Sequence, residues 1–180
     1  MKTWSDETQI IAQARRELPY NHASFEVLVS RYKDLVYTLC YRLVGKSSDA
    51  EDLTQEVFTK VFLNLKSFEE RSKFSSWVYR IAHNHCLNFI GKKKREREIL
   101  GEYTDEKKRV QNGSMSADVS EKLQFALNKI SPDQRTILIM KFVIGLDLKE
   151  ISESMELSVG AVKMRLMRSK EEFKKYYRTE

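Results

Sequence analysis

Four stretches of the 180-residue sequence carry side chains whose types and spacing suit a chemical task. In the last of them, a wheel at about 100° per residue puts Val159, Val162, Leu166 and Phe173 on one stripe. Gly160, Ala161, Met164, Met167, Arg168 and Glu171 fall on the opposite face, flanked by Lys163 and Arg165. Small residues at the head of a helix let its backbone approach a partner, and the cations behind them reach base edges and phosphates. A helix that reads duplex DNA enters the major groove in this way, N-terminal residues foremost. A second stretch places Asp49, Asp52 and Glu56 at i, i+3 and i+7, with no Lys or Arg between Ser47 and Thr59. Acids near a helix start are favoured by the helix dipole, and an acidic face in a basic chain also suits a basic partner. In the third, Phe68, Phe74, Trp77 and Tyr79 interleave with Arg71, Lys73 and Arg80. Aromatics among cations suit single-stranded nucleic acid, where a stacked base contributes about 1–3 kcal/mol. Trp77 also heads an apolar stripe, which reads as core.

The fourth stretch, His83-Asn84-His85, has the letters of a nuclease motif. On a helix, however, His85 falls on the apolar stripe and His83 nearly opposite, so the two rings cannot share a metal. Cys40 and Cys86 lie inside helical patterns without further ligands at metal spacing and read as small buried hydrophobes. With no glycine-rich phosphate loop, zinc spacing or nucleophile elbow, the expectation is a chain that is not an enzyme and needs no cofactor or metal.

The elements that must position these groups are helices. Gly is 6 and Pro 2, charged residues make up 32% and hydrophobic ones 41%, a composition that favours helices over a turn-rich sandwich or barrel. Apolar residues from Phe25 to Val44 follow i, i+3, i+4, i+7, with Asn21 placed to cap the start and Gly45 to end it left-handed. Ser48-Asp49-Ala50-Glu51 reads as a capping box opening a second helix, which buries Leu53, Val57, Phe58, Val61, Phe62 and Leu65. A third begins near Ser75 or Ser76 with Trp77, Val78, Ile81, Ala82, His85 and Phe89 on its stripe, and runs into Lys92–Arg95 and Arg97. Periodicity then stops until Leu123, Leu127 and Ile130. Ser131-Pro132-Asp133-Gln134 is a capping box with Pro at its first helical position, opening a helix to Gly145. Asp147-Leu148-Lys149-Glu150 opens a short helix to Met155, and after a tight turn Ser158 caps the last one, to about Tyr177. The expected fold is all-α, with two small helical domains, 1–95 and 119–180, joined by a flexible linker at 96–118. The second domain is a helix-turn-helix.

The net charge of +6 suits a polyanionic partner. No apolar run approaches the roughly 20 residues a bilayer needs, and the first 20 residues lack a signal-peptide pattern, so a cytoplasmic location is expected.

Taken together, DAEDLTQEVFTKVF at 49–62, KFSSWVYRIAHN at 73–84 and LKEISESMELSVGAVKMRLMRSKEEF at 148–173 resemble the extracytoplasmic-function sigma factors of bacterial RNA polymerase. The resemblance implies a promoter-specificity subunit with core RNA polymerase and promoter DNA as partners and no small-molecule substrate. It implies polymerase contact through Asp49, Asp52, Gln55 and Glu56. It implies −10 contact, on melted DNA, through Phe68, Arg71, Lys73, Phe74, Trp77, Arg80, Asn84, Lys92 and Lys93, the Phe68–Trp77 loop helping to trap an unstacked base. Duplex −35 contact falls to Leu148, Ser158, Gly160, Lys163, Met164, Arg165, Met167 and Arg168. Arg168 and Lys163 are the expected base readers; Arg165 and the amides at Leu148 are expected to hold phosphate. The family's habits imply an anti-sigma protein as a further partner, at times at the inner face of the membrane. A stand-alone helix-turn-helix regulator is the alternative, and it would bind duplex DNA without polymerase.

Overall fold

The structure is a computed structural model that describes residues 4–100 and 117–177. The first half comprises α1 (Trp4–Glu17), α2 (Ala23–Val44), α3 (Ser47–Asn64), a 3₁₀ turn (Leu65–Ser67) and α4 (Phe74–Ile99). The second comprises α5 (Ala117–Lys129), α6 (Pro132–Ile139), a π turn (Met140–Ile144), α7 (Leu148–Met155) and α8 (Val159–Tyr177). Among the described residues every regular element is helical, and no helix is long and apolar enough to cross a membrane.

The apolar period of α2 buries Phe25, Leu28, Tyr32, Val36, Leu39, Cys40 and Leu43, while Leu35 stays partly exposed at the edge of the stripe. Asn21 helps to start this helix from outside the cap position, which His22 occupies; its Oδ1 accepts from the Ala23 amide at 3.0 Å. Glu17 Oε2, from the end of α1, takes the Ser24 amide at 3.0 Å. Gly45 closes α2 in the left-handed region (φ 76°), its amide donating to Tyr41 O at 2.8 Å. That turn leaves only Lys46 extended before α3 begins at Ser47, two residues too early for the capping box expected at Ser48. Ser47 Oγ donates to Glu51 Oε1 at 3.0 Å instead.

α1 was not foreseen. Ile11, Ala14 and Leu18 are buried in the core shared with α2. α4 starts at Phe74 rather than Ser75 or Ser76, because the Trp77 amide reaches Lys73 O at 3.1 Å and Ser76 sinks fully into the interior. It continues past the expected boundary at 95, carried by exposed i, i+4 pairs Lys92–Glu96 (3.9 Å) and Lys94–Glu98 (3.8 Å). The expected linker thus loses residues 96–99 to α4 and 117–118 to α5. Its positions 101–116 lie outside the described residues.

Both capping boxes of the second half form. The Gln134 amide donates to Ser131 Oγ at 3.3 Å and Gln134 Oε1 accepts from the Ser131 amide at 3.1 Å. Asp147 and Glu150 repeat this at 2.8 and 2.9 Å. The helix from Pro132 widens into the π turn before Gly145 (φ 85°) ends it. Glu156 takes the left-handed turn position (φ 54°), and Ser158 Oγ accepts from the Ala161 amide at 3.1 Å. α7, this turn and α8 make the helix-turn-helix. Val159 does not join the buried stripe of α8: the first turn, 158–160, stands clear of the bundle, and burial begins at Val162.

The two halves are packed on each other, α7 against α4 and α6 against α2. Arg135, itself buried, donates to Leu43 O at the end of α2 at 2.7 Å. Lys73 pairs with Glu150 at 2.7 Å and Arg80 with Glu156 at 3.1 Å.

Candidate nucleic-acid interface

On α8, Gly160, Lys163, Met164, Met167 and Arg168 are exposed, and Ala161 and Arg165 half-buried, so the small-then-cationic face is one continuous surface. Ala161, Met164, Arg165 and Arg168 wall a groove of about 370 Å³ whose other side is Asp133 and Gln134, from the first turn of α6. That acid was not anticipated beside the reading helix. The expectation for Leu148 needs correction. Leu148 is half-buried, and the N-terminal amides of α7 already serve Asp147, whose carboxyl they hold below its ordinary pKa. An anion there would compete with a built-in carboxylate.

On α3, Asp52, Gln55 and Glu56 are exposed. Asp49 is half-buried and reaches back to Lys46 at 3.7 Å. Glu56 Oε2 is hydrogen-bonded to His85 Nε2 of α4, a partner that lies 29 residues away in the chain. The acidic face is therefore continuous with α4.

The aromatic stretch takes the core side of its two readings, as the stripe headed by Trp77 suggests, and offers no exposed platform for a base. Phe68, Phe74 and Trp77 are 6%, 3% and 8% exposed, and their ring centroids lie 5.0–5.6 Å apart. They form core because each brings a large apolar area that the loop between α3 and α4 can bury only inward. Arg71 is exposed and pairs with Glu69 at 2.8 Å. Lys73 and Arg80 are the cations engaged by α7 and its turn, and the Glu150 hydrogen bond holds the Lys73 ammonium above its ordinary pKa. Lys92 is exposed, and Lys93 lies 5.3 Å over the Phe89 ring.

The open feature on this side is a groove of about 320 Å³ between the end of α3 and α4, lined by Lys60, Asn64, Ser67, Trp77, Ile81, Asn84, His85 and Asn88. A wall of carboxamides and hydroxyl around an indole edge supplies hydrogen-bond donors and acceptors beside an apolar surface, which is what an unstacked base requires. Trp77 and Asn84 were named from sequence; Lys60, Asn64, Ser67 and Asn88 were missed. The available signal was the i, i+4 spacing of Lys60 with Asn64 on α3 and of Asn84 with Asn88 on α4.

His83, expected opposite the buried stripe, is itself buried, because α6 closes over it. Its Nδ1 lies 3.2 Å from Thr136 Oγ1 and its Nε2 3.6 Å from Asp133 Oδ1. Burial pushes its pKa below the ordinary value, opposed by Asp133 and assisted by Arg165. Cys40 and Cys86 face each other in the core with sulfurs 3.5 Å apart. Among the described residues, no group of three His, Cys, Asp or Glu side chains is placed to hold a metal.

The Sigma-70 region 2 family model matches residues 28–96, and that of Sigma-70, region 4 matches residues 120–173. The chain is 35% identical over 167 residues to the ECF RNA polymerase sigma factor SigW of Bacillus subtilis (strain 168), covering 86% of this chain and 89% of that one. It is 29% identical over 160 residues to the ECF RNA polymerase sigma-E factor of Escherichia coli (strain K12), covering 82% and 83%. Its fold matches that of the sigma factor RpoE from Bartonella quintana, solved in complex with the anti-sigma factor NepR (TM-score 0.71, 23% identity, 87% of this chain and 98% of that one). It also matches CnrH in complex with the cytosolic domain of CnrY (TM-score 0.71, 19% identity, 94% and 95%).

Proposed function

The chain belongs to the extracytoplasmic-function sigma factors of the sigma-70 family, and on that premise we propose how its surfaces divide the work. As a member it binds core RNA polymerase and promoter DNA, directs transcription initiation, and is not an enzyme. The acidic face of α3, Asp49, Asp52, Gln55 and Glu56, docks on a basic surface of core polymerase. α8 enters the major groove of the −35 element, where Arg168 and Lys163 read base edges and Arg165 holds phosphate, with Met164 and Met167 against apolar groups such as thymine methyls. The groove between α3 and α4 receives an unstacked −10 base. In this assignment Asn84 and Asn88 supply the base-edge contacts, Trp77 supplies an edge rather than a stacking face, and Phe68 and Phe74 act only as support. The domain division follows the helices, one unit running to the end of α4 and the other starting with α5.

The observation that carries this reading is the exposed face of α8, with its small residues first and its cations next, beside a groove walled by Arg165 and Arg168. A solvated surface helix has no reason to keep its first turn bare and glycine-containing.

Because Lys73 and Arg80 are occupied by α7 and its turn, they become available to DNA only when the halves separate. A protein inhibitor that stabilises the packed arrangement would therefore withhold both cations from DNA, and an anti-sigma partner of the kind bound to the RpoE relative fits this role. We place the protein in the cytoplasm with its polymerase. The test is run-off transcription by reconstituted holoenzyme on genomic DNA. Transcripts starting at a shared −10/−35 pattern are the expected result. Tight sequence-specific binding by the free chain, with no gain from core polymerase, would favour a stand-alone regulator instead.

A further inference from the structure

We propose that Arg15, on α1 and outside both family matches, is a positioning residue that sets the loop between α3 and α4 and thereby the wall of the base groove. The inference rests on the reading that this groove takes a promoter base.

One guanidinium holds three points of the loop. Arg15 Nε donates to Leu65 O at 3.2 Å, one terminal nitrogen donates to Glu70 Oε1 at 2.6 Å, and the other donates to Phe68 O. The same group lies 5.6 Å over the Phe68 ring. The loop has little of its own to fix it. Its internal bonds are the Phe68 amide to Leu65 O (3.3 Å), Ser67 Oγ to Asn64 O (2.8 Å), Ser72 Oγ to Lys73 O (3.4 Å) and the exposed Arg71–Glu69 pair (2.8 Å), none of which reaches the Glu70 side chain. Glu70 sits in the left-handed region (φ 58°), where a residue with a side chain is uncommon unless something holds it. Arg15 supplies that hold.

From the loop the effect reaches the groove by contact. Ser67 lines it directly. The Phe68 ring, pressed between Arg15 and Trp77, lies 5.0 Å from the indole, which also lines the groove. α1 is anchored in turn: Arg31 of α2 reaches Asp6 and Glu7 at 3.4 Å, the Tyr32 hydroxyl donates to Glu7, and Ile11, Ala14 and Leu18 are buried. The strut therefore runs from the α2 surface through α1 to the loop. Lysine cannot replace arginine in it, because a single ammonium does not present a planar fork to two carbonyls and a carboxylate at once.

The experiment uses the full chain in holoenzyme, comparing wild type with Arg15→Ala, Arg15→Lys, Asn84→Ala and Ile11→Val. Ile11→Val loosens α1 packing without touching the loop. Preference is read from a randomised −10 library, opening from a 2-aminopurine probe in the −10 strand, and −35 footprint, core affinity and thermal midpoint are followed in parallel. Both Arg15 variants are expected to lower preference at one −10 position about tenfold, the scale of one lost charge-assisted hydrogen bond, with −35 footprint and core affinity unchanged. Ile11→Val should keep wild-type preference despite its lower midpoint. Wild-type preference in Arg15→Lys overturns the proposal, as does an equal loss of preference in Ile11→Val. If Asn84→Ala changes preference and the Arg15 variants do not, only the role of Arg15 falls. If Asn84→Ala changes nothing, the groove reading falls and takes the proposal with it.

Discussion

Lys73 Nζ lies 2.7 Å from Glu150 Oε1, tying the entry to α4 to the first turn of α7 across the two halves of the chain. With Arg80–Glu156 at 3.1 Å it makes the packed arrangement partly electrostatic. Replacing both acids, Glu150→Gln with Glu156→Gln, keeps an oxygen for the Asp147 cap and removes the charges. The population with separated halves should rise about two- to thirtyfold, since two partly exposed pairs contribute roughly 0.2–1 kcal/mol each. Distance distributions between one label in each half measure this. Added salt should shift the wild type in the same direction and the double variant much less. Identical distributions in the two proteins would remove the ion pairs from the account of closure.

Asp52 stands free on the exposed face of α3, whereas Glu56 is shared with His85. Asp52→Lys alone should lower affinity for core polymerase at least about tenfold, and Asp52→Lys with Glu56→Lys should abolish holoenzyme formation, on the scale of like charges brought together at an interface. Circular dichroism should be unchanged, because Asp52 points to solvent and Glu56 is exposed with a single surface contact to His85. Anisotropy titrations with core polymerase supply the affinity, and wild-type binding by the double variant would end the docking assignment.

His83 makes stability depend on pH in a defined sense. Its folded pKa lies below the ordinary 6.5 because burial outweighs the pull of Asp133, and Arg165 adds to the depression. The unfolded or opened chain therefore takes up a proton more readily than the packed one, and stability rises with pH through this window. The contribution should be complete above 6.5 and decline as pH falls from there toward the folded pKa. Denaturation midpoints measured in steps between about pH 7.5 and 5 should fall for wild type and fall less for His83→Gln. Parallel curves would assign the slope to other groups.

The two arginines of the α8 groove should separate by role. Arg168→Ala should relax preference at one −35 position by roughly 1–3 kcal/mol, the value of a bidentate arginine–guanine pair. Arg165→Ala should weaken all promoters alike and reduce the salt slope by about one. A randomised −35 library read at two salt concentrations distinguishes them. Lower affinity with intact preference in Arg168→Ala would contradict base contact.

What the sequence discloses follows from the range of the interaction. The boxes at Ser131 and Asp147 are closed within four residues, and both are legible. So is the exposed face of α8, since wheel arithmetic needs only one helix. α1 escapes notice because Ile10, Ile11 and Ala14 are a thin apolar signal in a polar segment; its burial is supplied by α2. The Ser48 box fails because Gly45 turns the chain so tightly that α3 starts two residues earlier. The partners of Lys73 and Arg80 lie 77 and 76 residues downstream, and nothing local marks them. The groove joins Asn64 and Ser67 to Asn84 and Asn88 only after α3 and α4 pack. Phe68 was misplaced for a related reason: aromatics interleaved with cations have the same letters whether the rings face a base or a core.

Cys40 and Cys86 are sealed in the interior, each 0% exposed, and they are the two cysteines of the entire sequence. An alkylating reagent added to the native protein therefore finds no thiol until α2 and α4 part, and the rate of labelling becomes a clock for that event. Cys40 and Cys86 lie between α2 and α4, both of the first half, so a hinge that uncovers Lys73 and Arg80 while keeping α2 on α4 is expected to leave labelling slow. The unaltered chain thus carries its own means of telling a large rearrangement from an unfolding one.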